Sequence, residues 1–404
     1  MLTRRSFLRA SGITIGTLGT APGWLMRAAA QGSGRRKVLV AIFQRGAADG
    51  LNMVVPFSEK RYYELRPTIA IPAPGAQSGA IDLDGHFALH PSLQPLKELW
   101  DSRQLAIIHA AGSPESSRSH FDAQEFMECG TAGVKMDQGW LDRALPPAGA
   151  DASSMRAVAM SARMPRTLTG TSGALLVDDL SKFQIGNAET ASILEGLYGS
   201  ANDARLKSQS KATFEAVRTM GSIAKPAATP GLPLGNGPQY FGQFGQRLRQ
   251  VAQLIKADVG VEVAFADIDG WDHHGNETPQ LNNLLREFGN SLAAFARDLG
   301  DRMADVVVVT MSEFGRTAAE NGNAGTDHGH GDVMMVFGGQ VKGGAVYGKW
   351  PGLEQEQLFE KRDLAVTTDF RDVLSELVRV HLGQKPDNVF PGYAASQSLG
   401  LLRA

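Results

Sequence analysis

Several short stretches of this chain are dominated by apolar residues and show no alternation. Lys37 to Phe43, Gln104 to Ala111, Val261 to Ile268 and Asp305 to Met311 are the clearest. Runs this short, bounded by polar or glycine-rich segments, predict strands buried on both faces. Val333 to Phe337 predicts another, and Ala174 to Val177 a shorter piece. Between them the period changes. Phe244, Leu248, Val251 and Ile255 share one helical face within Phe241 to Ala257. Leu281, Leu284, Leu285, Phe288, Leu292, Phe295 and Leu299 recur at three- and four-residue intervals, the mark of an amphipathic helix. Pro95 to Ser102, Ser119 to about Cys129 and Thr367 to Leu382 are further predicted helices. Helices alternating with buried strands imply an α/β fold with a mostly parallel central sheet covered on both faces. Residues 141–235 give a weaker pattern and read as an inserted cap region, with a Pro/Gly-rich linker from Ala224 to Gly237.

The first thirty residues read as an address. Arg4-Arg5-Ser6-Phe7-Leu8-Arg9 is a twin-arginine pattern, followed by a weakly apolar stretch from Ile13 to Leu25 and a small-residue cleavage site at Ala28-Ala29-Ala30. The apolar stretch is too short and too rich in Gly and Thr to span a bilayer. The expected partner is the twin-arginine export machinery, which moves proteins already folded. The mature domain then covers residues 31–404 and works in the periplasm or outside the cell. A lone cysteine, Cys129, excludes an internal disulfide framework. A formal charge of −2 gives no basic footprint for nucleic acid.

The chemistry is concentrated late in the chain. Trp271-Asp272-His273-His274-Gly275-Asn276 and Asp327-His328-Gly329-His330-Gly331 hold four of the nine histidines, and the strand between them runs into Glu313. Imidazoles and carboxylates are the usual ligands of zinc, manganese and iron. In extended backbone, residues i and i+2 share a face. Asp272 with His274, and His328 with His330, can therefore each offer two groups to one cation. His273 and Asp327 would face away and orient the ligands. In an open α/β sheet, ligands bind beyond the carboxyl ends of the strands. Asp49, Ser116, Ser117, Ser119, Asp272, His274 and Glu313 all follow predicted strands. Asp49 is either a helix N-cap or a ligand of a second cation. Ser119 caps the helix after it, where free N–H groups favour an oxyanion, and with a metal beside it its hydroxyl can act as a nucleophile. His120 or His330 would handle protons. Arg45, Arg118 and Arg316 are candidates to neutralise an anionic substrate.

The motifs together resemble a known family. The twin-arginine leader, strand–Asp-Gly-Leu-Asn, Arg-Ser-His-Phe-Asp-Ala-Gln, Gly-Trp-Asp-x-His-Gly-Asn, Ser-Glu-Phe-Gly-Arg-Thr and Asp-His-Gly-His-Gly occur in the order seen in domain of unknown function 1501. That family is grouped with alkaline phosphatases and sulfatases. The resemblance implies an alkaline-phosphatase-like fold, one or two divalent metal ions (Zn, Mn, Ca or Fe) and hydrolysis of a phosphate or sulfate ester. It places Asp49 on one metal, Ser119 at the nucleophile position, Asp272 and His274 on the other metal, and His328 as the late histidine. Relatives in that superfamily usually carry Asp-His where this chain has Glu313-Phe314. The alternative is a non-catalytic protein on the same scaffold that binds a metal or a polysaccharide. A redox protein is less favoured, since the chain lacks a dinucleotide fingerprint and a haem Cys pair.

Overall fold

The computed structural model describes residues 35–147, 153–180, 238–395 and 398–403, with a few isolated positions between 195 and 221. The twin-arginine leader and most of the segment around 181–237 lie outside the described residues. Residues from Arg36 onward form one compact unit.

The apolar runs are strands, as their lack of alternation predicts. The strands are β1 (Val38–Arg45), the short β2 (Val54–Val55), β3 (Ile81–Asp82) and β4 (Ala88–Leu89), β5 (Leu105–Gly112), β6 (Ala157–Met160), β7 (Leu175–Leu176), β8 (Val263–Asp269), β9 (Val306–Ser312), β10 (Asp332–Gly338), β11 (Ala345–Tyr347) and β12 (Thr368–Asp369), and the predicted runs are β1, β5, β7, β8, β9 and β10. Nine of them make one sheet in the order β11-β5-β10-β9-β1-β8-β6-β7, with β12 also on β5. β2, β4 and β3 form a small separate sheet.

β1 explains why a continuous apolar run is needed. Val38, Val40 and Ile42 enter the core on one face, and Leu39, Ala41 and Phe43 enter the core on the other. Each fully buried Val or Leu contributes about 1.5–3 kcal/mol. The helices that supply these cores are α1 (Gly50–Met53), α2 (His120–Cys129), α3 (Gly242–Lys256), α4 (Glu277–Leu299) and α5 (Phe370–Glu376). Phe244, Leu248, Leu285, Phe288 and Leu292 of α3 and α4 cover one face, and Phe370, Val373 and Leu374 of α5 cover the other. The closing helix predicted as one span from Thr367 to Leu382 instead begins with the β12 bridge and ends in a π-helical turn, Leu377–His381.

Two features of the mostly parallel sheet position the rim. The pairs β1·β8, β1·β9, β6·β8 and β11·β5 are parallel, but β10 runs antiparallel to both β9 and β5. Its amino end, Asp332, lies opposite Ala111 at the carboxyl end of β5. The loop before β10 therefore shares a rim with the loops after β1, β5, β8 and β9. In addition, residues 153–180, within the segment read as an insert, contribute to the sheet. β6 and β7 extend the central sheet along β8.

Among the described residues, no helix is long and apolar enough to cross a membrane.

Candidate metal centre

Five chain segments meet at that rim. The approach is close enough to require glycine. Gly46, just after β1, has φ +116°, and a Cβ there would lie 2.8 Å from the Asp272 nitrogen. A Cβ on Gly325 would lie 2.5 Å from the Gly275 nitrogen. The two histidine tracts are thus pressed backbone to backbone and stitched by Thr326 N to His273 O (3.1 Å) and Glu277 N to Ala324 O (2.8 Å). Gly46 and Gly325 permit these approaches.

Four side chains converge there. His120 Nε2 and His328 Nε2 are 3.0 Å apart, and His274 Nε2 and His328 Nε2 are also 3.0 Å apart. Asp272 Oδ1 lies 2.9 Å from His274 Nε2 and 3.2 Å from His328 Nε2, while its Oδ2 lies 3.5 Å from His120 Nε2. His120, Asp272 and His328 form a group with metal-binding spacing among the described residues, and His274 closes on it.

The far side of each imidazole fixes what the near side offers. His120 Nδ1 lies 2.7 Å from Glu313 Oε1, His274 Nδ1 3.0 Å from Asp327 Oδ1, and His328 Nδ1 3.0 Å from the Arg118 carbonyl. None of these oxygens can donate as a carboxylate or carbonyl, so each Nδ1 carries the proton and donates. Each neutral ring then presents an Nε2 lone pair, and three lone pairs and a carboxylate face one point. Such a set repels itself unless a cation or an added proton sits between. Outer acceptors on Nδ1 are the regular support of metal-bound histidines. With metal–nitrogen bonds of about 2.0–2.1 Å, neighbouring ligand atoms fall ~3.0–3.4 Å apart, which these separations match. Three imidazoles and one carboxylate suit zinc, manganese or iron; calcium prefers oxygen ligands.

Electrostatics follow the same geometry. The hydrogen bond to Glu313 raises the His120 pKa above its ordinary value, while burial lowers that of His328. Burial pushes the Asp272 carboxyl up, but Arg316 outweighs it and holds the group below the usual range. Glu313 is likewise held low, because His120 and Gln124 overcome its burial.

Several expected site residues take other places. Glu313 does not face the centre. Its Oε1 accepts from Gly46 N (2.8 Å), His120 Nδ1 and Gln124 Nε2 (2.9 Å), so it orients the His120 ring. His120, expected to handle protons, has both nitrogens engaged and faces the centre itself. His330 does not join His328. Gly329 N donates to Gly315 O while Gly315 N donates to His330 O, so two residues face one across the ladder and the alternation is lost. The His330 ring is buried and stacks on Phe359 at 4.2 Å. Asp49 caps α1 by position, but its side chain makes no cap bond. It is buried against Arg66, Nη1 to Oδ2 2.5 Å, so a guanidinium stands where a second cation was expected.

Ser119 is the N-cap of α2, accepting from Asp122 N at 3.5 Å, next to His120. Ser117 Oγ accepts from Ser119 N at 3.3 Å, and Ser116 is exposed. The three arginines are all committed. Arg45 pairs with Asp267 and Glu128, Arg118 with Glu360 and Asp363, and Arg316 with Asp272 at 2.8 Å. Asp327 orients His274, as expected, whereas His273 is buried away from the centre.

Some supporting residues had no legible signal. Arg66, Glu277 and Thr326 carry no pattern that sets them apart from surface polar residues, yet all are fully buried. Gln124 was findable, since it lies one helical turn after His120 on the same face.

The profile of the family described as "Protein of unknown function (DUF1501)" matches residues 36–381. The chain belongs to this family. No curated protein matches it. Among solved structures, the zinc complex of the C-terminal periplasmic domain of EcEptC from Escherichia coli is similar over 76% of this chain and 74% of its own, at 6% identity and a TM-score of 0.31. A histidine-to-glutamate mutant of TAB5 alkaline phosphatase with magnesium bound is similar over 75% of this chain and 90% of its own, at 11% identity and a TM-score of 0.31. Likenesses at this score carry no argument about activity. The α/β architecture rests on the strand pairing itself.

Proposed function

We propose that this protein is an exported, metal-dependent hydrolase of phosphate or sulfate esters. The observation that carries the reading is the convergence of His120, His274, His328 and Asp272, each imidazole with its Nδ1 proton already given to an oxygen. A divalent cation held by these four groups would polarise ester oxygens and lower the pKa of a nearby hydroxyl. Asp272 and His274 are each about half exposed (side chains 45% and 46%), which leaves the centre open to substrate. Ser119, one residue before His120 and the N-cap of a ten-residue helix, would be the nucleophile. Its Oγ would form a bond to phosphorus or sulfur as the ester oxygen leaves, and water would then release the acid and restore the hydroxyl. The α2 N-terminus would favour the developing oxyanion. His120 is fully engaged in ligation in this reading, so it does not serve as the proton carrier.

One observation favours a second reading, a non-catalytic metal or polysaccharide binder. Arg45, Arg118 and Arg316 all hold carboxylates of the protein, which leaves none of the three free for an anionic substrate.

Protein purified after export should carry Zn, Mn or Fe, read by elemental analysis. It should cleave at least one of an aryl phosphate, a phosphodiester or an aryl sulfate. Metal-loaded protein inactive on the whole panel supports the binder. Protein that takes up none of these metals overturns the hydrolase and the metal binder and leaves only the polysaccharide binder. Replacing Arg4 and Arg5 by Lys should retain the precursor in the cytoplasm if the leader is read as a twin-arginine signal.

A further inference from the structure

Asp272 differs from the three histidines in how it is held. Its side chain is about half exposed, and a carboxylate at the lip of a site is free to turn into water unless something stops it. What stops it is Arg316, whose side chain is fully buried. Its Nη1 donates to Asp272 Oδ1 (2.8 Å), its Nε donates to Thr326 Oγ1 (3.0 Å), and its Nη2 donates to the Thr326 carbonyl. The guanidinium is thereby fixed on two sides by one residue and presents its third nitrogen to Asp272.

The chain of bonds continues inward with consistent polarity. Thr326 Oγ1 accepts from Arg316, so its single proton is free to donate to Glu277 Oε2 (2.8 Å). Glu277 is fully buried, and burial together with Asp49 pushes its carboxyl well above the ordinary range. Asp49 beside it is held below the ordinary range, because Arg66 overcomes its burial. Arg66 in turn donates to the carbonyls of Ala318 (2.9 Å) and Thr317 (2.8 Å). Donors and acceptors alternate consistently from Glu277 through Thr326 and Arg316 to Asp272.

We infer that Arg316, set by Thr326 and Glu277, is a positioning residue for the metal centre: it clamps Asp272 Oδ1 and so fixes which face of the carboxylate meets the cation. This rests on the metal reading above. The clamp needs a planar fork, because one side chain must satisfy Asp272, the Thr326 hydroxyl and the Thr326 carbonyl in one plane. Lysine, with a single nitrogen, cannot do so. Sharing Asp272 with a guanidinium also leaves the carboxylate less charge to give the cation, so the ion stays more electron-poor than an unshared carboxylate would make it.

The test measures metal affinity, not turnover. Zinc and cobalt(II) dissociation constants and the cobalt visible spectrum are compared for the full chain and for Arg316→Lys, Arg316→Gln, Thr326→Val and Thr326→Ser. Loss of an outer partner of a ligand weakens affinity by about 10–100-fold, and that range is expected for both Arg316 variants, with an altered cobalt spectrum. Thr326→Val should move in the same direction by less, and Thr326→Ser, which keeps the hydroxyl, should restore the original values. Thermal unfolding without metal shows which variants are folded. If Arg316→Gln does not fold, Arg316→Lys and the Thr326 pair decide. Affinity and spectrum unchanged in a folded Arg316→Lys and in Thr326→Val overturn the clamp. Failure of the unaltered protein to bind zinc or cobalt overturns the metal reading instead.

Discussion

His120 and His328 stand 208 residues apart in the chain and bring their Nε2 atoms to 3.0 Å. Both Nδ1 protons are committed elsewhere, to Glu313 and to the Arg118 carbonyl. Two neutral imidazoles in this relation cannot bond to each other, and a shared cation resolves the contact. His328→Ala and His120→Ala should each abolish stoichiometric binding of zinc or manganese while the other folded properties persist, as read by titration calorimetry. The unaltered protein should bind one equivalent per chain, because Arg66 already neutralises Asp49. Two tightly held equivalents would contradict the latter.

Metal binding at this centre should weaken in acid. Ligand imidazoles must be neutral, so protons compete with the cation and binding releases them. Proton competition should begin at His120, raised above the ordinary imidazole value of about 6.5 by Glu313, and reach His328, lowered by burial, only in stronger acid, and proton release should be measurable in buffers of different ionisation enthalpy. A pH-independent affinity between pH 5 and 8 would mean the histidines are not ligands.

Ser119→Ala separates the enzyme from the binder. Metal content should be unchanged, since the serine oxygen is directed to its own helix. Loss of a cap costs about 0.5–2 kcal/mol, and the long 3.5 Å bond here points to the low end. In an esterase of the proposed kind, turnover should fall by orders of magnitude at constant metal occupancy. Turnover that survives would move the nucleophile to Ser116, Ser117 or a water.

The buried pair beneath the centre gives a stability prediction with opposite outcomes for two similar changes. Glu277 keeps its proton, so Glu277→Gln, with an amide donor toward Asp49 and an oxygen for Thr326, should cost about 1 kcal/mol or less. Asp49→Asn instead strips the charge partner from a fully buried Arg66 and should cost about 3–5 kcal/mol. Urea unfolding at pH 7 reads both. Equal effects would mean that Glu277, not Asp49, carries the charge.

Acid should also loosen the fold itself. His90 Nδ1 accepts from Ser92 N (3.0 Å) and His109 Nδ1 from Ala110 N (2.9 Å), so neither ring can take a second proton without losing a backbone bond. Burial lowers each to about 4. A depressed histidine leaves the unfolded chain with more bound protons between about 6.5 and 4. Stability is therefore full above pH 6.5 and declines as pH falls through that window, by about 1.4 kcal/mol per unit for each group. His109→Gln should flatten the slope of unfolding free energy against pH, even if it lowers stability at pH 7.

The fold class was readable because burial on both faces leaves a mark in one dimension: an unbroken apolar run of strand length, as in Lys37 to Phe43 and Asp305 to Met311. The direction of β10 was not, since an apolar run has no polarity in its pattern. Asp272 and His274 were readable as a pair because extended backbone alternates. The same rule failed for His328 and His330, where Gly315 pairs with two residues and shifts the phase.

What the sequence by itself determined is therefore the long buried strands of the sheet, the two core helices and the chemical character of the rim, all properties of neighbours in the chain. Tertiary structure alone decided that His120 faces the centre, that Glu313 stands behind it, that Arg66 takes the charge of Asp49, and that Arg316 grips Asp272. Each of these depends on a contact across tens to hundreds of residues, made when parallel strands and one reversed strand bring their loops to a common edge. No local period encodes such a contact, because it is set by the packing of the whole sheet.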